Sequence, residues 1–361
     1  MFHFDYLTEN TCSKVCELAV TDIFCLPLKY PLNTDESNNN KQKYYENQLL
    51  KLGVVNKDAY SCACYFDEMG NIPKKGDILS WSESSAVVYA NSVLGARCNR
   101  NSGMLELFGS IVGYVPEFGF LTDEGRKAKW KVILKTTKLP EAQILGSAIG
   151  MKVMEDVPYV YGLDQYLGNE ITDDVVGYLK DFGAATASNG AVGLYHIDGL
   201  TPEAKKYGEK LIRDDAQEYI ITDEEIERVY ASYPIMWKKP DKKGNLVFIG
   251  CPHLTFQQLN AWTDKIVAGL KETGKKKVVV RTVITTAPDI KEKFMQTHKY
   301  QELIATGVKL SCICPLMYTN NPLTKSRRIY TSSNKLRTYS TARYAKDQEI
   351  LDFIVGRKET K

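Results

Sequence analysis

The sequence predicts an α/β protein with mostly parallel sheets and helices on both sheet faces. Two observations lead there. Apolar runs of strand length alternate with amphipathic helical stretches through the second half of the chain, the pattern of parallel βαβ units. The 361 residues, 43% hydrophobic and 25% charged, are ordinary for a globular protein and enough for two or three closely packed domains. In such sheets ligands bind outside the carboxyl ends of strands.

The elements follow in order. CLPLKYPL (25–32) is strand-like, and TDESNNNKQK (34–43) is a polar loop or helix start. YYENQLLKLGVV (44–55) reads as a helix ending at Gly53, and turn residues Gly70, Asn71, Pro73 and Gly76 mark 60–77 as a loop. SWSESSAVVYANSVLGARCNR (80–100) is the central helix. Ala86, Val87, Ala90, Val93 and Leu94 share one face, Ser82 to Ser85 suit its N-terminus, and Gly95 lets the chain turn. Strands are expected over 129–137, 157–163, 191–197, 245–251, 276–285 and 308–315. Helices are expected over 144–154, 173–187, 255–274 and 290–307, with the acidic, Lys-rich 203–230 forming outer helices after Pro202. The domain reading is 1–60, a short N-terminal α/β segment; 61–200, an α/β region bearing the central motif; and 201–361, a second α/β region.

Bulk properties exclude several functions. The net charge of +3, with no concentrated basic arm, implies neither nucleic acid nor an anionic membrane as partner. Lys275 to Lys277, and Lys325, Arg327 and Arg328, read as solvated loop charge. No apolar stretch is long enough to span a bilayer, and the first ten residues lack the basic region of a secretory signal. Nine cysteines, an odd number, then point to reduced thiols and a cytoplasmic setting.

The thiols are the first chemical signal. Cys62 and Cys64 lie in a loop, whereas Cys251 and Cys314 end apolar strands. Strand ends converge in a doubly wound sheet, where three thiolates can hold an iron–sulfur cluster with one iron left open as a Lewis acid. On spacing alone the plainer reading, buried inert cysteines, prevails. The second signal is the polar set Ser84, Ser85, Asn91, Arg97, Asn99 and Arg100. Either arginine can clamp a carboxylate, or instead form a structural ion pair, while the serines and helix N-terminus suit a second polar end. Glu83 is a candidate general acid or base, or a stabiliser of the first helical turn.

Those residues also carry a resemblance. The stretch 80–100, followed by GYVPEFGFLTDEGR (113–126), resembles the catalytic region of the aconitase X family. CAC (62–64), SNGAVGLYHIDGLTPEA (188–204), IGCPHLT (249–255), GVKLSCICP (307–315) and TSSNK (331–335) occur in family order, over about residues 45–345. The resemblance implies an aconitase-like, multi-layer αβα architecture. It also implies a carbon–oxygen hydro-lyase that removes water from a small 3-hydroxy carboxylic acid, such as 5-phosphomevalonate or cis-3-hydroxy-L-proline.

The implied cofactor is an iron–sulfur cluster, 4Fe-4S or 2Fe-2S, or a mononuclear iron. Its implied ligands are Cys251, Cys314 in preference to Cys312, and one of Cys62 and Cys64. His253 would orient the turn carrying Cys251. Lys335 would bind an anionic substrate group, with Ser333 as proton acceptor beside it and Tyr339 at the family spacing. Cys98 stands where the family usually has Thr or Ser and reads as packing; His196 reads as a satisfied core residue, and His3 and His298 as surface residues.

The implied partner is a small swivelling-domain subunit, for which the residues after Lys335 leave no room. The family's N-terminal Gly-Val-Ser segment has no counterpart before residue 60, and Ser332 replaces its usual Asn. That departure motivates an alternative: a divergent, non-catalytic or differently specific binding or assembly protein on the same scaffold.

Overall fold

A computed structural model of the chain describes residues 2–3, 51, 61–320 and 326–357. The strand expected over 25–32, the loop over 34–43, the helix over 44–55 apart from Lys51, and Cys12, Cys16 and Cys25 lie outside the described residues. Two compact units emerge, one built on 62–233 and the other on 234–357 together with Ser61. The division expected at 200/201 falls inside the first unit.

In the first unit, β1 (Phe2–His3) pairs antiparallel with β4 (Tyr114–Val115), and β2 (Ile78–Leu79) pairs parallel with β3 (Arg97–Cys98). The main sheet holds β5 (Ala128–Lys135), β6 (Pro158–Tyr161), β7 (His196–Ile197) and β8 (Ile212–Thr222), all parallel, in the order β7-β6-β5-β8. Along β5 the period-two pattern buries Ala128, Trp130, Val132 and Leu134. Helices Ala142–Val153 and Asp173–Gly190 pack against each other, with their backbones close enough that glycine is required. A Cβ on Gly150 would stand 2.6 Å from the Thr186 carbonyl oxygen, and one on Gly190 would stand 1.8 Å from that of Gly150.

The outer segment 203–230 corrects the helical expectation. Helices Pro202–Tyr207 and Asp223–Ala231 flank the eleven-residue strand β8. Its sequence IRDDAQEYIIT looks helical because of its acids. It sits at a sheet edge, where charged side chains reach water, and its Tyr-Ile-Ile-Thr end suits a pleated surface.

The second unit has a five-stranded parallel sheet: β9 (Leu246–Leu254), β10 (Thr282–Thr286), β11 (Lys309–Ser311), β12 (Ile329–Thr331) and β13 (Arg343–Tyr344), in the order β11-β10-β9-β12-β13. All nine residues of β9 are buried, as a central parallel strand requires. The chain winds outward from β9 to β11, then crosses back to place β12 on the other side. The switch point therefore lies between β9 and β12. The helix expected over 255–274 spans Phe256–Glu272, started by a capping box in which Thr255 Oγ1 accepts from Gln258 N–H (3.0 Å) and Gln258 Oε1 accepts from Thr255 N–H (3.1 Å). The expected helix over 290–307 is two helices, Pro288–Met295 and His298–Ala305, because Thr297 caps a new start through Tyr300 N–H. Among the described residues no helix is long and apolar enough to cross a membrane.

Candidate active site

The central motif of the first unit forms a helix over Ser84–Tyr89 that widens into a π-turn over Ala90–Leu94. Glu83 is its N-cap: Oε1 accepts from Ser85 N–H (3.1 Å) and from Ser85 Oγ (2.7 Å). Gly95, at φ +73°, closes the helix in the left-handed conformation, and the chain enters β3. Ser82, Glu83 and Ser85 are buried, whereas Ser84 and Arg100 are half-buried.

Asn91 is fully engaged. Its Nδ2 donates to the carbonyls of Cys98 and Gly193, both at 2.8 Å, and its Oδ1 accepts from Cys98 N–H (2.9 Å) and Arg126 Nη1 (3.2 Å). Asn99 holds loop 118–126 at two points, donating to Phe118 O (3.0 Å) and accepting from Phe120 N–H (2.8 Å). Arg97 reaches the same loop, donating to Leu121 O (2.9 Å) and pairing with the carboxylate of Asp123. That guanidinium holds the Asp123 carboxyl below the usual carboxylate range. The side chains that the sequence suggested for anion handling therefore also knit ARCNR to FLTDEGR.

Spacing did not single out the residue at the centre of this knot. Arg126 is 1% exposed and donates Nε to both carboxylate oxygens of Glu203, at 2.8 and 3.0 Å. Both lie in quoted motifs, Arg126 in GYVPEFGFLTDEGR and Glu203 in SNGAVGLYHIDGLTPEA. His196 Nε2 donates to Arg126 O at 2.8 Å, and a carbonyl can only accept, so the proton sits on Nε2. Burial pushes the imidazole down to about 4, so it is neutral at neutral pH.

The CAC loop packs on the motif helix through Tyr65, whose ring stacks on Tyr89 with centroids 3.9 Å apart. Burial raises the Tyr65 hydroxyl well above its usual range, and Tyr89, Cys62 and Cys64 add to the effect. Cys64 is buried, Cys62 is half-buried, and Cys98 is buried against the Trp81 backbone.

In the second unit, GCPH lies in β9 and TSSNK leaves the neighbouring β12, while SCICP leaves β11, which β10 separates from β9. In β9, Ile249 stands opposite Ile284 and Leu254 opposite Thr286, so Gly250 to His253 face Thr285 alone and form a bulge. Thr285 Oγ1 and Thr286 Oγ1 donate to Gly250 O and Leu254 O, both at 2.6 Å, and brace the bulge from either side. Cys251 packs with Phe248, Ile313, Tyr318 and Leu336. His253 has Nδ1 3.1 Å from Ser61 Oγ and Nε2 3.5 Å from Ile313 O, so its ring ties the bulge to the SCICP turn. Cys312 and Cys314 are half-buried beyond β11. TSSNK leaves β12 beside this bulge. Ser333 Oγ caps helix Asn334–Thr338 by accepting from Leu336 N–H (3.0 Å), and Lys335 is 9% exposed.

Family models match along the chain in the same order as these motifs. They are the first domain of aconitase X over residues 28–124, the second over 128–231 and the third over 244–352. The chain belongs to the aconitase X family. The phosphomevalonate dehydratase large subunit of Thermococcus kodakarensis is 34% identical over 233 residues, which are 64% of this chain and 54% of that protein. The corresponding subunit of Methanosarcina mazei is 31% identical, covering 75% and 61% respectively. The cis-3-hydroxy-L-proline dehydratase of Hypocrea jecorina is 29% identical, covering 78% and 46%. This aconitase X chain thus spans about half the length of several curated relatives that it matches. A crystal structure of Thermococcus kodakaraensis aconitase X in its holo-form superposes with a TM-score of 0.72 at 28% identity, covering 88% of this chain and 77% of that one. The mixed α/β fold with parallel sheets, expected of an aconitase X protein, is the fold observed.

Thiols are donors that suit iron. Donor type fits, since Cys62, Cys64, Cys251, Cys312 and Cys314 all lie outside disulfides. Among the described residues no three or more His, Cys, Asp or Glu are grouped to hold a metal ion.

Proposed function

We propose that the protein is a hydro-lyase subunit that removes water from a small 3-hydroxy carboxylic acid of the 5-phosphomevalonate or cis-3-hydroxy-L-proline type. The observation that carries this reading is the fold of the second unit. Its switch point receives GCPH from β9 and TSSNK from β12, where ligands of parallel sheets bind. Relatives with the names of two such dehydratases support the chemistry.

Dehydration needs the substrate acid fixed, a proton removed beside it and a hydroxyl expelled. Arg97 or Arg100 binds the carboxylate, with Asn91 and Asn99 fixing the segment that carries them, while Ser84, Ser85 and the helix N-terminus bind the second polar end. Lys335, nearly buried, attracts a second anionic group and stabilises negative charge on Ser333, which accepts the proton. Glu83, held as an N-cap, is the second candidate acid–base group. Bound iron, as a cluster or a single ion, would supply Lewis acidity toward the leaving hydroxyl. Cys251, Cys314 and one of Cys62 and Cys64 are its proposed donors on chemistry alone, with His253 orienting the Cys251 turn. A small swivelling-domain subunit is the proposed partner, in keeping with relatives designated as large subunits, and a cytoplasmic setting is proposed with it.

One observation favours a second reading, a non-catalytic or differently specific binding protein. Asn91, Asn99 and Arg97 are hydrogen-bonded to the protein itself. Anaerobic co-purification with the small partner, an iron and sulfide count, and assays on phosphomevalonate and cis-3-hydroxy-L-proline separate the two. Iron with turnover supports the hydro-lyase; neither iron nor turnover supports the binding protein. Full activity after Cys251→Ala would sink the thiol-bound iron while leaving the reaction class intact.

A further inference from the structure

From these hydrogen bonds we infer that Arg126 is a positioning residue: it clamps the π-turn of the motif helix and thereby presents Arg97, Asn99 and Arg100. The last four carbonyls of a helical element lack donors within it, so an element ending at Leu94 leaves Asn91 O to be satisfied from outside. Arg126 Nη2 donates to that oxygen at 3.0 Å, and Nη1 donates to Asn91 Oδ1 at 3.2 Å. Asn91 in turn holds both backbone groups of Cys98, the residue between Arg97 and Asn99. Nη1 also donates to Phe120 O at 3.0 Å, while Phe120 N–H donates to Asn99 Oδ1. One guanidinium therefore grips both the helix that launches ARCNR and the loop against which its side chains rest. Glu203 holds Nε, the one nitrogen facing away from these contacts. The geometry needs the planar fork. A lysine at this position could keep the ion pair with Glu203 but could not span Asn91 and Phe120 together.

The inference rests on the anion-handling role proposed for Arg97 and Arg100, but its test does not depend on turnover. Hydrogen exchange of the full-length chain is measured for wild type, Arg126→Lys and Glu203→Gln. In Arg126→Lys, peptides covering 91–100 and 118–123 should exchange about tenfold faster, and those covering β5 and β6 should stay within about twofold. Unchanged exchange in 91–100, or an equal rise across β5 and β6, overturns the clamp. Where Arg126→Lys does not fold, Glu203→Gln keeps the guanidinium but removes its counter-charge. It should show the same local pattern at about threefold, and no change there overturns the inference equally. With the small partner present, Arg126→Lys should raise KM about tenfold while kcat stays within about threefold, because what is lost is placement of the binding groups. A loss confined to kcat contradicts the inference. A wild-type protein that turns over neither substrate sinks the proposed function and leaves the exchange result to decide the clamp.

Discussion

Asn91 and Cys98 satisfy each other across seven residues: the Asn91 amide donates to the Cys98 carbonyl at 2.8 Å and accepts from the Cys98 N–H at 2.9 Å. The side chain imitates a strand partner, which is why the short strand β3 can follow the helix so closely. Replacing it by the similarly sized Leu would strip partners from two buried backbone groups of Cys98 and from the Gly193 carbonyl. Each orphaned group costs about 1–3 kcal/mol, so Asn91→Leu should lose about 3 kcal/mol or more. Urea unfolding measures this directly, and a loss under about 1 kcal/mol would show that Asn91 is not the staple described here.

Asp123 makes a contrasting prediction. Its carboxylate pairs with Arg97 but is 90% exposed, so the ion pair contributes little to stability. It nevertheless puts an anion on the guanidinium proposed to bind the substrate acid. Asp123→Asn should leave the unfolding free energy within about 0.5 kcal/mol of wild type and lower KM about two- to fivefold. A higher or unchanged KM would show that Arg97 does not meet the substrate.

Gly250 is where β9 departs from its neighbour. It adopts φ +103°, and a Cβ there would stand 2.3 Å from Thr285 O and 3.0 Å from Thr285 Oγ1. Neither the backbone conformation nor the space admits a side chain. Gly250→Ala should cost about 3 kcal/mol or more, and should disturb the bulge that carries Cys251 and His253. The checks are a thermal melt and, in the assembled protein, iron content. A melting temperature equal to wild type would mean that the bulge is more adaptable than its packing indicates.

How much of this was legible beforehand depends on the range of the interaction involved. The apolar run at 245–251 and the Thr255 helix start are local signals, and both elements formed where expected. The strand β8 was missed because its acids resemble those of a surface helix, and only its edge position makes them acceptable in a sheet. Arg126 and Glu203 are 77 residues apart, so neither motif alone shows that the other completes it. Likewise the adjacency of GCPH and TSSNK follows from the strand order of the second sheet. The order is set by long-range packing and leaves no mark in either motif.

His196 should make stability depend on acidity. Burial holds its folded-state value at about 4, against 6.5 for an unhindered imidazole, with Arg126 and Glu203 facing it. Between these values the unfolded chain binds more protons than the folded one. Stability is therefore complete above about pH 6.5 and falls as the pH drops toward about 4. The shift sets a ceiling of about 3 kcal/mol on the effect. His196→Gln keeps a donor for the Arg126 carbonyl but cannot be protonated. Between pH 7 and pH 4.5 the wild type should therefore lose about 2 kcal/mol more than the variant in urea unfolding. Carboxylates elsewhere titrate alike in both proteins and cancel in the comparison. Parallel pH profiles would mean that the imidazole is already charged in the folded protein, contrary to its burial against a carbonyl.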